Sequence, residues 1–169
     1  MSDWPSLSLA PSGVISAATE LTGLSLSPAS RAWPAANRAI FVPIRVPARC
    51  VAYKLAVGAG ATAAGNFDVG LYDSALTRLV SSGATAKGSS VEHILDIAAT
   101  PLSPGALYYL ALAADGANNY ITWLPPNLGL SRMLGVLQMA TAYPLPATAA
   151  LAALTAADIP SIAAYLSGY

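Results

Sequence analysis

From Ala39 to Leu124 the chain is written largely in a period of two, which restricts it to strands with one side buried, because successive side chains of a strand point to opposite faces. In Asn66-Phe-Asp-Val-Gly-Leu-Tyr-Asp73 the alternation puts Phe67, Val69 and Leu71 on one face and Asp68, Gly70 and Tyr72 on the other. In Cys50-Val-Ala-Tyr-Lys-Leu-Ala-Val57 it groups Val51, Tyr53, Leu55 and Val57 against Lys54, and in Val91-Glu-His-Ile-Leu-Asp-Ile97 it groups Val91, His93, Leu95 and Ile97. Ala39 to Val46, Leu107 to Ala113 and Tyr120 to Leu124 read as further strands, and Thr77 to Ser81 as the second arm of a hairpin. Pro47-Ala-Arg49, Gly58, Gly60, Pro101, Pro104, Gly105 and the run Asp115-Gly-Ala-Asn-Asn119 supply the turns between them. Strands at such intervals predict an all-β fold, an antiparallel β-sandwich that is jelly-roll-like. Its expected interior is Val51, Tyr53, Leu55, Phe67, Val69, Leu71, Leu95, Ile97 and Leu110 or its neighbours.

The flanks lack that period. Residues 1–35 are rich in Ser, Pro, Ala and Gly with isolated Leu and Trp, and predict an extended N-terminal arm outside the sandwich domain, 36–169, with Trp4 and Trp33 as its anchors on a neighbour. Asp3 and Pro5 stand where a secretory signal would place a basic residue and an apolar run. Met133 to Ala157 holds no charged residue, but Pro144 and Pro146 in its middle would cost a lipid-facing helix its backbone hydrogen bonds, so no membrane span is expected. Residues 147–157 suit a helix by propensity; between Pro146 and Pro160 irregular or strand structure is the favoured reading, with a short helix left open. Ile159, Ile162, Tyr165 and Leu166 would pack back on the sandwich.

Of the 169 residues 55% are hydrophobic and only 9% charged, eight basic and eight acidic. So little charge covers a monomer poorly, and self-association is the expectation. A net charge of zero with no Lys or Arg cluster argues against nucleic acid as a partner. One Cys and one His assemble neither a disulfide framework nor a usual zinc site, and no cofactor is implied.

Catalytic patterns are thin. His93 shares a face with Val91 and Leu95 and has no acidic residue spaced to orient it. Asp68 and Asp73, five apart, face opposite ways on a strand, and with Asp96 they read as outer-face and turn carboxylates rather than an acid–base pair or a calcium site. No G-x-S-x-G elbow occurs, Gly58-Ala-Gly60 lacks the third glycine of a dinucleotide loop, and Cys50 reads as a small buried hydrophobe. The run Trp123-Leu-Pro-Pro-Asn-Leu-Gly-Leu130 stands out instead: Trp123, Leu124, Leu128 and Leu130 form either a subunit interface or a loop folded over one open end of the sandwich.

Four stretches carry a resemblance: Trp33-Pro-Ala-Ala-Asn-Arg-Ala-Ile-Phe-Val-Pro43, Gly65-Asn-Phe-Asp-Val-Gly-Leu-Tyr-Asp73, Arg78-Leu-Val-Ser-Ser-Gly83 and Leu102-Ser-Pro-Gly-Ala-Leu-Tyr-Tyr-Leu-Ala111. Over roughly residues 30 to 115 the chain is similar to a group of tailed-bacteriophage and prophage virion proteins. The resemblance implies a jelly-roll-like virion module with no catalytic residue, in the tail (fibre or tip) or the capsid (spike or decoration). A chain of 169 residues beginning at Met1 without fibrous repeats favours a small accessory subunit. It would be assembled in the host cytoplasm as a homotrimer and partnered by other virion proteins. The alternative is a carbohydrate-recognising receptor-binding domain whose Tyr72, Tyr108 and Tyr120 offer faces on which a host-surface glycan stacks.

Overall fold

A computed structural model describes residues 12–16, 27–89, 92–116, 119–124, 128–156 and 159–168. In chain order its elements are β1 (Ser12–Ser16), β2 (Ser27–Ala32), β3 (Ala39–Arg45), β4 (Cys50–Gly58), β5 (Asn66–Asp73), β6 (Arg78–Ser81) and β7 (Thr85–Ala86). There follow β8 (Glu92–Leu102), β9 (Leu107–Ala114), β10 (Asn119–Leu124), α1 (Leu128–Met133), β11 (Leu137–Met139), β12 (Ala152–Ala153), β13 (Ile159–Pro160) and β14 (Ile162–Gly168). The fold is the all-β antiparallel sandwich that the period of two predicts. One sheet runs β1-β14-β4-β8; the other runs β12-β11-β3-β9-β5-β6, with β7 also on β5. A small β13-β10-β2 sheet is joined to the end of β4 by a bridge between Ala59 and Tyr120.

The main core lies between the two large sheets, where Ile40, Val42 and Ile44 of β3, Phe67, Val69 and Leu71 of β5, and Leu110 and Leu112 of β9 meet Leu55, Val57, Ile162 and Leu166. Leu95 and Ile97 pack half-buried against it, His93 keeps their face, and Glu92, Ile94 and Asp96 point outward in strict alternation. The chosen face of β4 needs correction. Ala52 and Leu55, three apart, are both buried, while Val51 and Tyr53 are only half-buried. The register against β8 shifts between Ala52 and Lys54, and such a bulge moves every earlier residue to the opposite face.

The arm also differs from expectation. Its described parts are strands within the sheets: β1 pairs with β14 from Ser12↔Ser167 to Ser16↔Ala163, and β2 pairs with β10 from Ala32↔Asn119 to Ser27↔Leu124. Their sequences carry no period of two, and backbone pairing along a sheet edge asks for none. Trp4 lies outside the described residues. Trp33 is 1% exposed inside its own chain, its Nε1 donating to the Arg38 carbonyl at 2.9 Å and its ring edge-on to Tyr120 at 5.2 Å, so it is a core residue rather than a free anchor. Residues 147–156 are irregular apart from β12, while Leu128–Met133, expected as loop, forms a turn and a half of helix. It ends at Gly135, whose φ of 78° is the left-handed value that glycine adopts without strain. No helix among the described residues is long and apolar enough to cross a membrane.

Candidate functional site

The outer face of β5 is where the structure departs furthest from a simple two-layer sandwich, because Phe67 through Tyr72 are all buried. Residues 140–151 cross this face as a strap and build a second core with Ala39, Phe41, Tyr72, Ala111 and Ala113, into which Ala142, Leu145 and Ala149 project. Asp68, Gly70 and Tyr72 each have a part in seating it. Asp68 accepts the Leu145 N–H at 3.0 Å, the Tyr72 hydroxyl donates to the Pro146 carbonyl at 2.6 Å, and Gly70 leaves the space that the Leu145 side chain fills. The Arg78 guanidinium donates to the Leu145 carbonyl, and its backbone N–H to that of Ala147 at 2.8 Å. Further along, Ala149 N–H reaches the carbonyl of Leu76, a residue held at φ 64°, where its side chain packs on the strap.

The electrostatics match a structural clip. Burial pushes the Asp68 carboxyl above its ordinary value, and the Leu145 N–H, the Arg78 charge and the Ser81 and Ser82 hydroxyls pull it only partway back. Burial likewise pushes the Tyr72 phenol up, opposed by Arg78 and reinforced by Asp68. Asp73, pointing away, accepts the N–H groups of Ala75 and Thr77 at 2.9 Å each and caps the hairpin turn.

The strap stops short of one end of this sheet. Beyond its edge, Pro43 and Arg45 of β3, paired with Tyr109 and Leu107 of β9, form the floor of an open groove of about 380 Å³ walled by Met133 to Val136. β11 pairs with β3 only from Ala39 to Phe41, so from Pro43 onward β3 has no strand on its far side among the described residues, a position that suits an imino acid without an N–H. Gly135 closes the wall 3.3 Å from the Pro43 ring, measured from the point a Cβ would occupy. Met133 stands 85% exposed on the rim, and Arg45 is exposed at one end with Nη1 donating to the Gly105 carbonyl at 2.9 Å. The groove is therefore apolar along its length and cationic at one tip.

Elsewhere the titratable groups hold structure. His93 is half-buried against Phe67 and accepts the Gly88 N–H on Nε2 at 3.0 Å; burial and the Lys87 charge lower its pKa. Lys87 is buried over the Tyr120 ring and donates to the Thr62 carbonyl, with burial lowering its pKa. Burial raises the Cys50 thiol, so it is a protonated core group. The Tyr120 hydroxyl is buried with no hydrogen-bond partner among the described residues. No group of three His, Cys, Asp or Glu among the described residues is placed to hold a metal ion.

Of the tyrosines expected to face a glycan, Tyr72 and Tyr120 are 0% exposed and Tyr108 7%, its hydroxyl accepting the Ser103 N–H at 2.9 Å. None offers a ring face to a ligand, because Tyr72 lies under the strap in the second core while Tyr108 and Tyr120 are buried in the main core. Leu128 packs half-buried on the core of its own chain, and the side chains of Trp123, Leu124 and Leu130 lie outside the described residues. The sequence reading missed the groove. Its one advance signal was Pro43 inside an otherwise regular strand, the mark of an edge. Comparison of the chain with protein-family models, characterised proteins and solved structures finds no match.

Proposed function

We propose that the protein is a non-enzymatic structural subunit of a tailed-phage particle that acts as an oligomer on its tail or capsid. The observation that carries this reading is the placement of the four stretches that bear the resemblance. They contribute β3, β5, β6 and the greater part of β9, neighbours in one sheet in the order β3-β9-β5-β6, so the likeness falls on one continuous structural unit. The polar side chains within it, Asp68, Tyr72 and Arg78, hold the strap. Large apolar side chains left in water support association: Val14 is 49% exposed on β1, Ile94 47% on β8, Leu79 40% on β6, and Met133 85% on the groove rim. Trimers around a particle axis are the favoured state.

The test has two arms. Antibody against the chain should label purified particles from a host carrying the gene, seen by electron microscopy, and mass spectrometry should find the chain in them. Light scattering after size exclusion should give an oligomer. A stable monomer at micromolar concentration, absent from particles, would overturn the proposal. The glycan-binding alternative has no observation in its favour at the tyrosines named for it, since all three are buried.

A further inference from the structure

We propose that copies of this chain join head to tail, the row Glu92, Ile94 and Asp96 of one copy seating in the groove between Arg45 and Met133 of the next. The inference rests on the reading of the protein as an oligomer and names the two surfaces that make the contact.

The alternation of β8 sets the row. Leu95 and Ile97 turn to the core, so Glu92, Ile94 and Asp96 stand on the outer face of the four-stranded sheet, where β8 is the last strand. Their partners in register on β4 are Gly58, Ala56 and Lys54, the first two too small to shield a neighbour. Ile94 therefore rises as a ridge, 47% exposed, with a carboxylate-bearing residue about 7 Å away on either side. Asp96 is held by Lys54 at 3.3 Å, which leaves Glu92 as the row's charge without an ion pair among the described residues.

The groove matches that pattern, with an apolar floor to take Ile94 and the exposed Arg45 guanidinium at one tip to meet Glu92. No other described surface fits it as well. Among the exposed large apolar side chains, Val14 has no carboxylate beside it, Leu79 follows Arg78, and Met133 is the rim of the groove itself. The remaining described carboxylates are taken up by their own chain: Asp68 by the Leu145 N–H, Asp73 by those of Ala75 and Thr77, and Asp115 by the Asn66 N–H and Nδ2 at 2.9 and 2.8 Å.

Placement makes the occupant a second copy. Across the sandwich β8 faces β6, and in the other sheet β9 and β5 separate β6 from β3. The groove opens on the outer face of one sheet and Ile94 on the outer face of the other, so the two surfaces turn away from each other and one chain cannot join them. A contact between two different patches is heterologous: each copy gives its ridge once and receives one once, which suits a cyclic trimer. Closure of the ring makes the last contact intramolecular and strengthens the whole.

Light scattering after size exclusion, run over a dilution series, tests this. A wild type that is monomeric throughout overturns the oligomer and the contact together. With an oligomeric wild type, Ile94→Lys and Met133→Glu should each raise the midpoint of association at least about ten-fold, while far-ultraviolet circular dichroism and Tm stay near the wild type because both side chains are exposed. An equimolar mixture of the two variants should form a one-to-one dimer, since the ridge of the Met133 variant and the groove of the Ile94 variant are both intact. Arg45→Glu should raise the midpoint about five-fold, and Glu92→Arg in the same chain should restore it. An oligomer that either Ile94→Lys or Met133→Glu leaves intact overturns the pairing while the assembly reading stands. Variants that each stop at dimers by themselves, or a mixture that stays monomeric, overturn the head-to-tail arrangement.

Discussion

Gly70→Ala puts one methyl group where the strap meets β5. A Cβ built on Gly70 falls 2.8 Å from Leu145 Cδ1, 3.0 Å from the Val80 carbonyl oxygen and 3.2 Å from Ser81 Cβ. Leu145 is 2% exposed among Phe41, Ala142 and their neighbours, so its methyl has little room to swing away, and the Val80 oxygen belongs to the backbone of β6. Overpacking of this kind costs about 1 to 3 kcal/mol. The lost glycine entropy of the unfolded chain returns about 0.4 to 1 kcal/mol, leaving a net loss near 1 to 2 kcal/mol. At about 2 to 4 °C per kcal/mol for a chain of this size, Tm should drop by about 2 to 8 °C, with a parallel fall in the urea midpoint. The informative control is Leu145→Ala, which itself costs about 2 to 5 kcal/mol by emptying the second core. In that background the closest clash is gone, and Gly70→Ala should cost at least about 1 kcal/mol less than in the wild type. An equal loss in both backgrounds, or a gain in the wild type, would refute the claim that Gly70 is there to seat Leu145.

Three further outcomes follow from the buried polar groups. Because burial raises the Asp68 pKa, the folded state holds its proton more readily than the unfolded chain, and this stabilising contribution is lost as pH rises through the folded pKa. Asp68→Asn, which retains an acceptor for the Leu145 N–H, should therefore match or exceed the wild type in denaturation at neutral pH and lose any advantage below about pH 3.8, whereas Asp68→Ala orphans that N–H and should cost about 1 to 3 kcal/mol throughout. Tyr72→Phe deletes a bond to the Pro146 carbonyl and should cost about 0.5 to 1.5 kcal/mol in thermal melts, while Tyr120→Phe, which removes a hydroxyl with no partner among the described residues, should be neutral or stabilising. His93 has the opposite sign to Asp68: its pKa is lowered on folding, so urea titrations should show stability falling as pH drops below 6.5, and His93→Gln should flatten that slope.

The strands were legible because each one buries at least one side, and a buried side imposes the period of two. The pairs Phe67 and Val69, Leu95 and Ile97, and Leu110 and Leu112 all sit where that period places them. It fails at β4, where one extra residue between Ala52 and Lys54 reverses the faces; a bulge needs no special residue, and Ala-Tyr-Lys carries no mark of one. Pairing of β1 and β2 was invisible for a related reason: their places are secured by backbone hydrogen bonds, which any residue but proline can donate.

The strap shows why the outward face of a strand resists assignment. Asp68, Gly70 and Tyr72 make a polar, small and amphipathic set, which on a solvated sheet would be three unrelated surface residues. Their meaning comes from Leu145 and Pro146, more than seventy residues away, which supply an N–H for the carboxylate, a side chain for the gap and a carbonyl for the phenol. The period of two reports only which residues share a face, and what covers that face is settled by partners distant in sequence. Where the cover ends, at Pro43, Arg45 and Tyr109, the same sheet face becomes a groove, so the reach of the strap sets where the candidate docking surface begins. Loosening the strap through Gly70 should therefore leave the groove's floor in place, because β3 and β9 remain paired from Ala39↔Ala113 to Arg45↔Leu107 without it.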